Sequence, residues 1–304
     1  MKNQQTIIRG AVWTAPVGLA GFASRILAGA VALLLILTVF GGRAWAITGG
    51  QVDTNNVYSN VGAMVYAPPG TVPKPEFSGT LIHPRVFLTA AHCIQLFQLW
   101  GHPSPFTDCY VSFAPDVRNP DLRVTRGIKA LIPHPQYLPL KWNNPAMNDV
   151  AVVILDEPIN DLPLANLPDA GFLDDLWAAQ ALREPGEGGA FFTAVGYGST
   201  LDWPPPESTL GDGPRRFALT EFRAVTPSWL HTSQNLSQGN GGTDFGDSGG
   251  PHFWTMPDGS LILVSLSSSG DAVSVANDMS WRVDLPETLE FIDWVINTVL
   301  PTVP

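Results

Sequence analysis

Three short stretches carry side chains able to do acid–base and nucleophilic chemistry together: Thr89-Ala90-Ala91-His92-Cys93, Asn148-Asp149-Val150-Ala151 and Gly246-Asp247-Ser248-Gly249-Gly250-Pro251. A serine hydroxyl is a poor nucleophile until a neighbouring base takes its proton, and imidazole, titrating near neutrality, suits that task. A carboxylate on the other ring nitrogen would fix the tautomer and stabilise the charged ring. Flanking glycines let the chain turn sharply at Ser248 and bring backbone N–H groups toward an oxyanion on the attacked carbonyl. Ser248 is therefore the candidate nucleophile, His92 the general base and Asp149 the orienting acid. The N–H groups of Gly246 and Ser248 are the candidate oxyanion donors.

Taken singly, each stretch has an ordinary structural explanation: a Gly-Ser turn, a histidine after an apolar strand, a carboxylate at a strand start. Gly246-Asp247-Ser248-Gly249-Gly250 also fits the G-x-S-x-G elbow of α/β-hydrolases, in which acid and histidine follow the serine. Here only His252 follows, and the chain order His, Asp, Ser argues against the elbow. His83, His102, His134, His231 and His252 are read as structural. A catalytically silent binding module and an esterase are the alternatives; the intact set of three side chains argues against the first.

The elements that must position these groups read as strands. Runs rich in β-branched and aromatic residues lie at 61–66, 79–83, 86–89, 110–113, 150–155, 191–195, 217–222, 261–266 and 272–275, between turn-forming clusters in a chain with 29 glycines and 28 prolines. Many short strands without helix alternation predict an all-β barrel or sandwich. Leu285, Leu289, Ile292, Ile296 and Val299 recur at steps of three to four, with Pro286 and Glu287 in the first turn, and predict a C-terminal amphipathic helix. Polar, Pro-rich stretches fall at 99–108, 136–147, 166–188, 201–213 and 227–240. The expected organisation is 47–165 as a first half, 166–189 as a linker and 190–304 as a second half.

The first 46 residues contain Lys2, Arg9, Arg25 and Arg43 and no acid, an apolar run at 26–40 and a small-x-small site at Ala44-Trp45-Ala46. That pattern predicts a secretory signal peptide, because the apolar run is shorter than the roughly 20 residues that span a bilayer. Without those four cations the chain holds 12 basic against 27 acidic residues, a net charge of about −15, which repels nucleic acid and anionic membrane surfaces. The expected location is extracellular or periplasmic. The histidines are scattered without metal-ligand spacing, so no metal or other cofactor is expected. Asn235-Leu236-Ser237 is a bare glycan-acceptor match.

The chain resembles the trypsin/chymotrypsin family of serine peptidases. Besides the three stretches above, Ile47-Thr48-Gly49-Gly50 resembles the family's mature start, Phe77-Ser78-Gly79-Thr80-Leu81-Ile82 the strand before the histidine, and Val195-Gly196-Tyr197-Gly198 a characteristic turn. The resemblance implies two six-stranded antiparallel β-barrels packed together, with a C-terminal α-helix, and a peptide or protein substrate. It implies a pair between the Ile47 ammonium and Asp247 that orders the oxyanion loop. It puts the specificity pocket at Gly242, Thr243, Ser265, Leu266 and Ser267, with Asp278 as an alternative wall residue; glycine at 242 favours an uncharged residue there. Phe77 replaces the usual partner of Cys93, so Cys93 is either free or joined to Cys109. A 93–109 bridge, worth roughly 3 kcal/mol in the chain-entropy model, is the expectation.

Overall fold

A computed structural model describes residues 47, 49–102, 105–119, 121–139, 146–183, 189–199, 211–271 and 276–304. The expected signal segment at 1–46 and the expected strand at 272–275 lie outside the described residues.

Six strands close the first barrel: β2 (Val61–Tyr66), β3 (Lys74–His83), β4 (Val86–Thr89), β5 (Cys109–Ser112), β6 (Thr125–Pro133) and β7 (Ala151–Leu155), in the order β2-β3-β4-β7-β6-β5. The second is formed by β8 (Phe191–Gly196), β9 (Arg216–Val225), β10 (Trp229–Ser233), β11 (Pro251–Thr255), β12 (Leu261–Gly270) and β13 (Asn277–Arg282), ordered β9-β10-β13-β12-β11-β8 and closed by pairing of β8 with β9. A two-residue strand, β1 (Gln51–Val52), adds to β9. Every strand pair is antiparallel. Among the described residues, closure leaves no long edge for another chain to extend.

All five residues of β7 are fully buried, because the strand faces the barrel interior on one side and the second barrel on the other. Burying each of its Val, Ile and Leu side chains contributes about 1.5–3 kcal/mol. Val61, Leu88 and Val152 of the first barrel share one apolar cluster with Val195, Leu266 and Trp281 of the second. The C-terminal helix, here α3 (Pro286–Trp294), seats Phe291 and Ile292 in that cluster and continues as a widened turn through Val295–Val299. Pro286 at its start costs nothing, since the first helical N–H groups have no intrahelical partner.

Strand β10 lies inside the 227–240 stretch that reads as loop. Thr232 and Ser233 are fully buried in it, so its polar letters hide a core strand. Helix α2 (Phe172–Ala178) lies in the expected linker; Gly171 precedes it at φ 78°, Leu173 is buried, and the Leu173 N–H donates to Asp284. The fully buried Arg215 donates to Asp53, to the carbonyls of Val61 and Phe113 and to the Tyr197 hydroxyl. This pair ties the β9 approach to the first barrel.

Candidate active site

His92 is the second residue of α1 (Ala91–Leu99), which follows directly from β4. The preceding Ala90 is extended and has no side chain that could cap the helix. The cap comes from across the fold instead: the His92 N–H donates to Asp149 Oδ1 at 2.8 Å. A carboxylate there satisfies an orphan donor and complements the positive end of the helix. The second oxygen, Oδ2, lies 2.8 Å from His92 Nδ1, so one buried carboxylate fixes both the helix start and the ring.

Asp149 is placed by the turn before β7. Asn148 sits at φ 52°, a left-handed conformation asparagine tolerates better than most residues, and its side chain donates to the Gln136 carbonyl. Asp149 is fully buried. Burial alone would raise its pKa, but the His92 charge and hydrogen bond, with help from Ser268, hold it below the ordinary carboxylate range. For His92, burial would lower the pKa; the Asp149 charge, then Cys93, overrides this and raises it well above 6.5.

Ser268 is the site residue that sequence reasoning missed. Its hydroxyl donates to Asp149 Oδ2 at 2.5 Å. In the β12–β13 ladder Ser267 opposes Ser280 and Ser269 opposes Met279, with a register shift between them that leaves Ser268 unpaired. Such a bulge turns a side chain away from the alternation of its strand, here onto the acid. A run of three serines in an otherwise regular strand gives no hint of which one the bulge selects.

Ser248 sits in a turn flanked by Gly246 at φ 96° and Gly249 at φ 78°. A Cβ on Gly249 would lie 2.0 Å from Thr89 Oγ1, so position 249 excludes any side chain. The turn is held by Ser78, whose N–H donates to the Ser248 carbonyl and whose hydroxyl donates to the Gly246 carbonyl. Among the described residues, the N–H groups of Gly246 and Ser248 donate to no protein acceptor. The Ser248 hydroxyl has no hydrogen bond among the described residues either, and His92 Nε2 lies 3.6 Å from Cys93 Sγ. Such contacts commonly tighten only when substrate binds.

Ser248, His92, Gly246, Thr243 and Ser267–Asp271 line one cleft of about 380 Å³. A family model for trypsin matches residues 73–294. The chain belongs to the trypsin family. It is a serine endopeptidase that acts on peptide or protein substrates with the family's His/Asp/Ser mechanism. No curated protein matches the chain in sequence.

Of the residues expected in the specificity pocket, Thr243 and Ser267 line this cleft, and Gly242, Ser265 and Leu266 lie outside its lining. The space above Gly242 is taken by Gln234, whose Cβ would lie 2.1 Å from an added methyl. The Ser265 hydroxyl bonds Ser280 at 2.8 Å, and Leu266 belongs to the core. The shift at Ser268 moves the cleft-lining part of β12 on to Ser267–Gly270. Asp278 also lies outside the cleft lining: it is fully buried on β13, with Oδ2 2.8 Å from His252 Nε2.

The expected 93–109 bridge is corrected, since both cysteines are free and buried. They serve as packing groups in the apolar cluster of the first barrel, with Phe87, Phe97 and Val111. Burial, then the charges of Glu76 and Asp108, push the Cys109 thiol up to about 12. Ile47 is fully buried. Asp247 is also buried and accepts the N–H groups of Gly198 and Asp244 at 2.7 and 2.9 Å. Burial pushes its carboxyl up to about 8.

Proposed function

We propose that this peptidase works through an acyl-enzyme formed on Ser248. The Ser248 hydroxyl attacks the scissile carbonyl while His92 Nε2 takes its proton. The Gly246 and Ser248 N–H groups hold the resulting oxyanion, and His92 returns the proton to the departing amine. Water then hydrolyses the ester by the same steps in reverse order of partners. Asp149 keeps the ring in the tautomer with Nδ1–H and stabilises its charged form, and Ser268 holds Asp149. The single observation that carries the reading is the Ser268–Asp149–His92 chain of hydrogen bonds ending in the cleft that Ser248 lines. Labelling by a fluorophosphonate, lost in Ser248→Ala and competed by a peptide substrate, tests it; labelling that survives the substitution overturns it.

The enzyme is proposed to be exported and active outside the cytoplasm, with signal cleavage after Ala46 freeing the Ile47 ammonium to pair with Asp247. Two features support this: the leader-like composition of residues 1–46, and a buried carboxyl at 247 raised by its lack of solvation, which a cation would relieve. N-terminal sequencing of the exported protein checks it, and a start other than Ile47 rejects it. The acidic mature chain is proposed to have no nucleic-acid or membrane partner.

A further inference from the structure

The cleft continues past Ser248 into a region that the hydrolytic step does not use. His92, Leu96 and Trp100 are spaced four apart along α1 and its C-terminal cap, so they share one helical face. Because His92 must hand its proton to the departing amine, the substrate residues after the scissile bond run along this face. Glu76 and Phe77 on β3 adjoin this face and complete the lining at that end.

Two features of this end point to a ligand. Phe77 stacks on Trp100 with ring centroids 5.1 Å apart and planes 14° off parallel, and Trp100 is 47 % exposed. The pair forms an aromatic shelf. Beside it, Glu76 is only 5 % exposed, with its carboxylate 3.1 Å from His102 Nε2. His102 Nε2 lies 3.1 Å from each of the two Glu76 oxygens, so a single N–H is shared between them and the buried carboxylate keeps acceptor capacity for a further donor. Burial raises the Glu76 pKa; His102 and the exposed Lys74 oppose that. Among the described residues lining the cleft, the ionisable groups are Glu76, His92, Asp244 and Asp271, three acids without a lysine or arginine.

We propose that Glu76, Phe77 and Trp100 form a leaving-group-side subsite for an arginine side chain of the substrate. A guanidinium can lie flat on the indole face while its edge donates to a carboxylate, a geometry that a lysine ammonium meets less well. The assignment rests on the acyl-enzyme reading above, since that reading sets which side of Ser248 receives the departing segment.

The test uses internally quenched peptides identical on the acyl side and differing at one of the two positions after the scissile bond, with Arg, Lys, Gln or Glu. Active enzyme is titrated with a fluorophosphonate, and kcat/KM values are compared as ratios within each variant. The wild type is expected to prefer Arg over Gln by more than about tenfold, with Glu poorest, a span typical of one charged hydrogen-bonded contact. Glu76→Gln should reduce the Arg/Gln ratio to below about threefold. Trp100→Leu, at an exposed side chain, should reduce the Arg/Lys ratio and serves if Glu76→Gln does not fold. An Arg/Gln ratio near one in the wild type, or ratios unchanged in both variants, overturns the subsite. A wild type that no fluorophosphonate titrates removes the acyl-enzyme reading itself, and the subsite with it.

Discussion

Replacing Ser268 by alanine removes one of three donors from a fully buried carboxylate. Asp149 would keep the His92 N–H on Oδ1 and the ring Nδ1–H on Oδ2, both at 2.8 Å, and lose the hydroxyl at 2.5 Å. A hydrogen bond to a charged group contributes about 1.5–3 kcal/mol; Ser268 is only half-buried and lines the cleft, so a water entering from there would move the cost toward the lower figure. For a domain of this size that corresponds to a fall in Tm of about 3–12 °C. The catalytic consequence has a definite sign. Ser268 helps hold the Asp149 pKa low; without it the carboxylate leans harder on the imidazole, and the His92 pKa rises further above 6.5. Since the neutral ring is the base, the acid limb of the kcat/KM profile, already above pH 6.5, moves to higher pH. Calorimetry and a pH–rate profile of Ser268→Ala measure both effects. An unchanged Tm together with an unmoved limb would refute the role of Ser268 as a support for the acid.

Other consequences follow from buried groups elsewhere. In a chain kept uncleaved ahead of Ile47, the Asp247 pKa is raised from 3.8 to about 8. The unfolded acid then ionises first, so stability falls as pH rises from about 4 to about 8, by something on the order of 5 kcal/mol. Denaturant titrations at several pH values should show this slope, and freeing the Ile47 ammonium should flatten it. Unreduced protein should release two equivalents of thiol on denaturation and essentially none when native; no thiol after denaturation would contradict two free, buried cysteines. Arg215→Met leaves Asp53 buried without its guanidinium and should cost about 3–5 kcal/mol, read as a Tm loss of more than about 6 °C. A small change would mean that the Val57 and Tyr58 N–H groups suffice to hold that carboxylate.

The order His92, Asp149, Ser248 and the residue types around each were enough to give the chemistry, because catalysis by this set demands particular functional groups in glycine-shaped turns. The apolar runs likewise marked β2, β4 and β8, where burial and letter pattern agree. Strand β10 stayed hidden, because only Trp229 and Leu230 of its buried residues are apolar and the equally buried Thr232 and Ser233 read as loop letters. The same limit explains the cleft: a one-residue bulge decides that Ser268, not Ser265 or Leu266, turns toward the acid. Side-chain spacing along a strand predicts only alternation, and a bulge breaks that rule without leaving a mark in the letters. The fate of Cys93 was also decided in three dimensions, where Phe77 packs on Trp100 and the thiol joins the apolar core. What functional groups exist is a property of the chain; which of them meet depends on register, and register is fixed by packing the whole sheet at once.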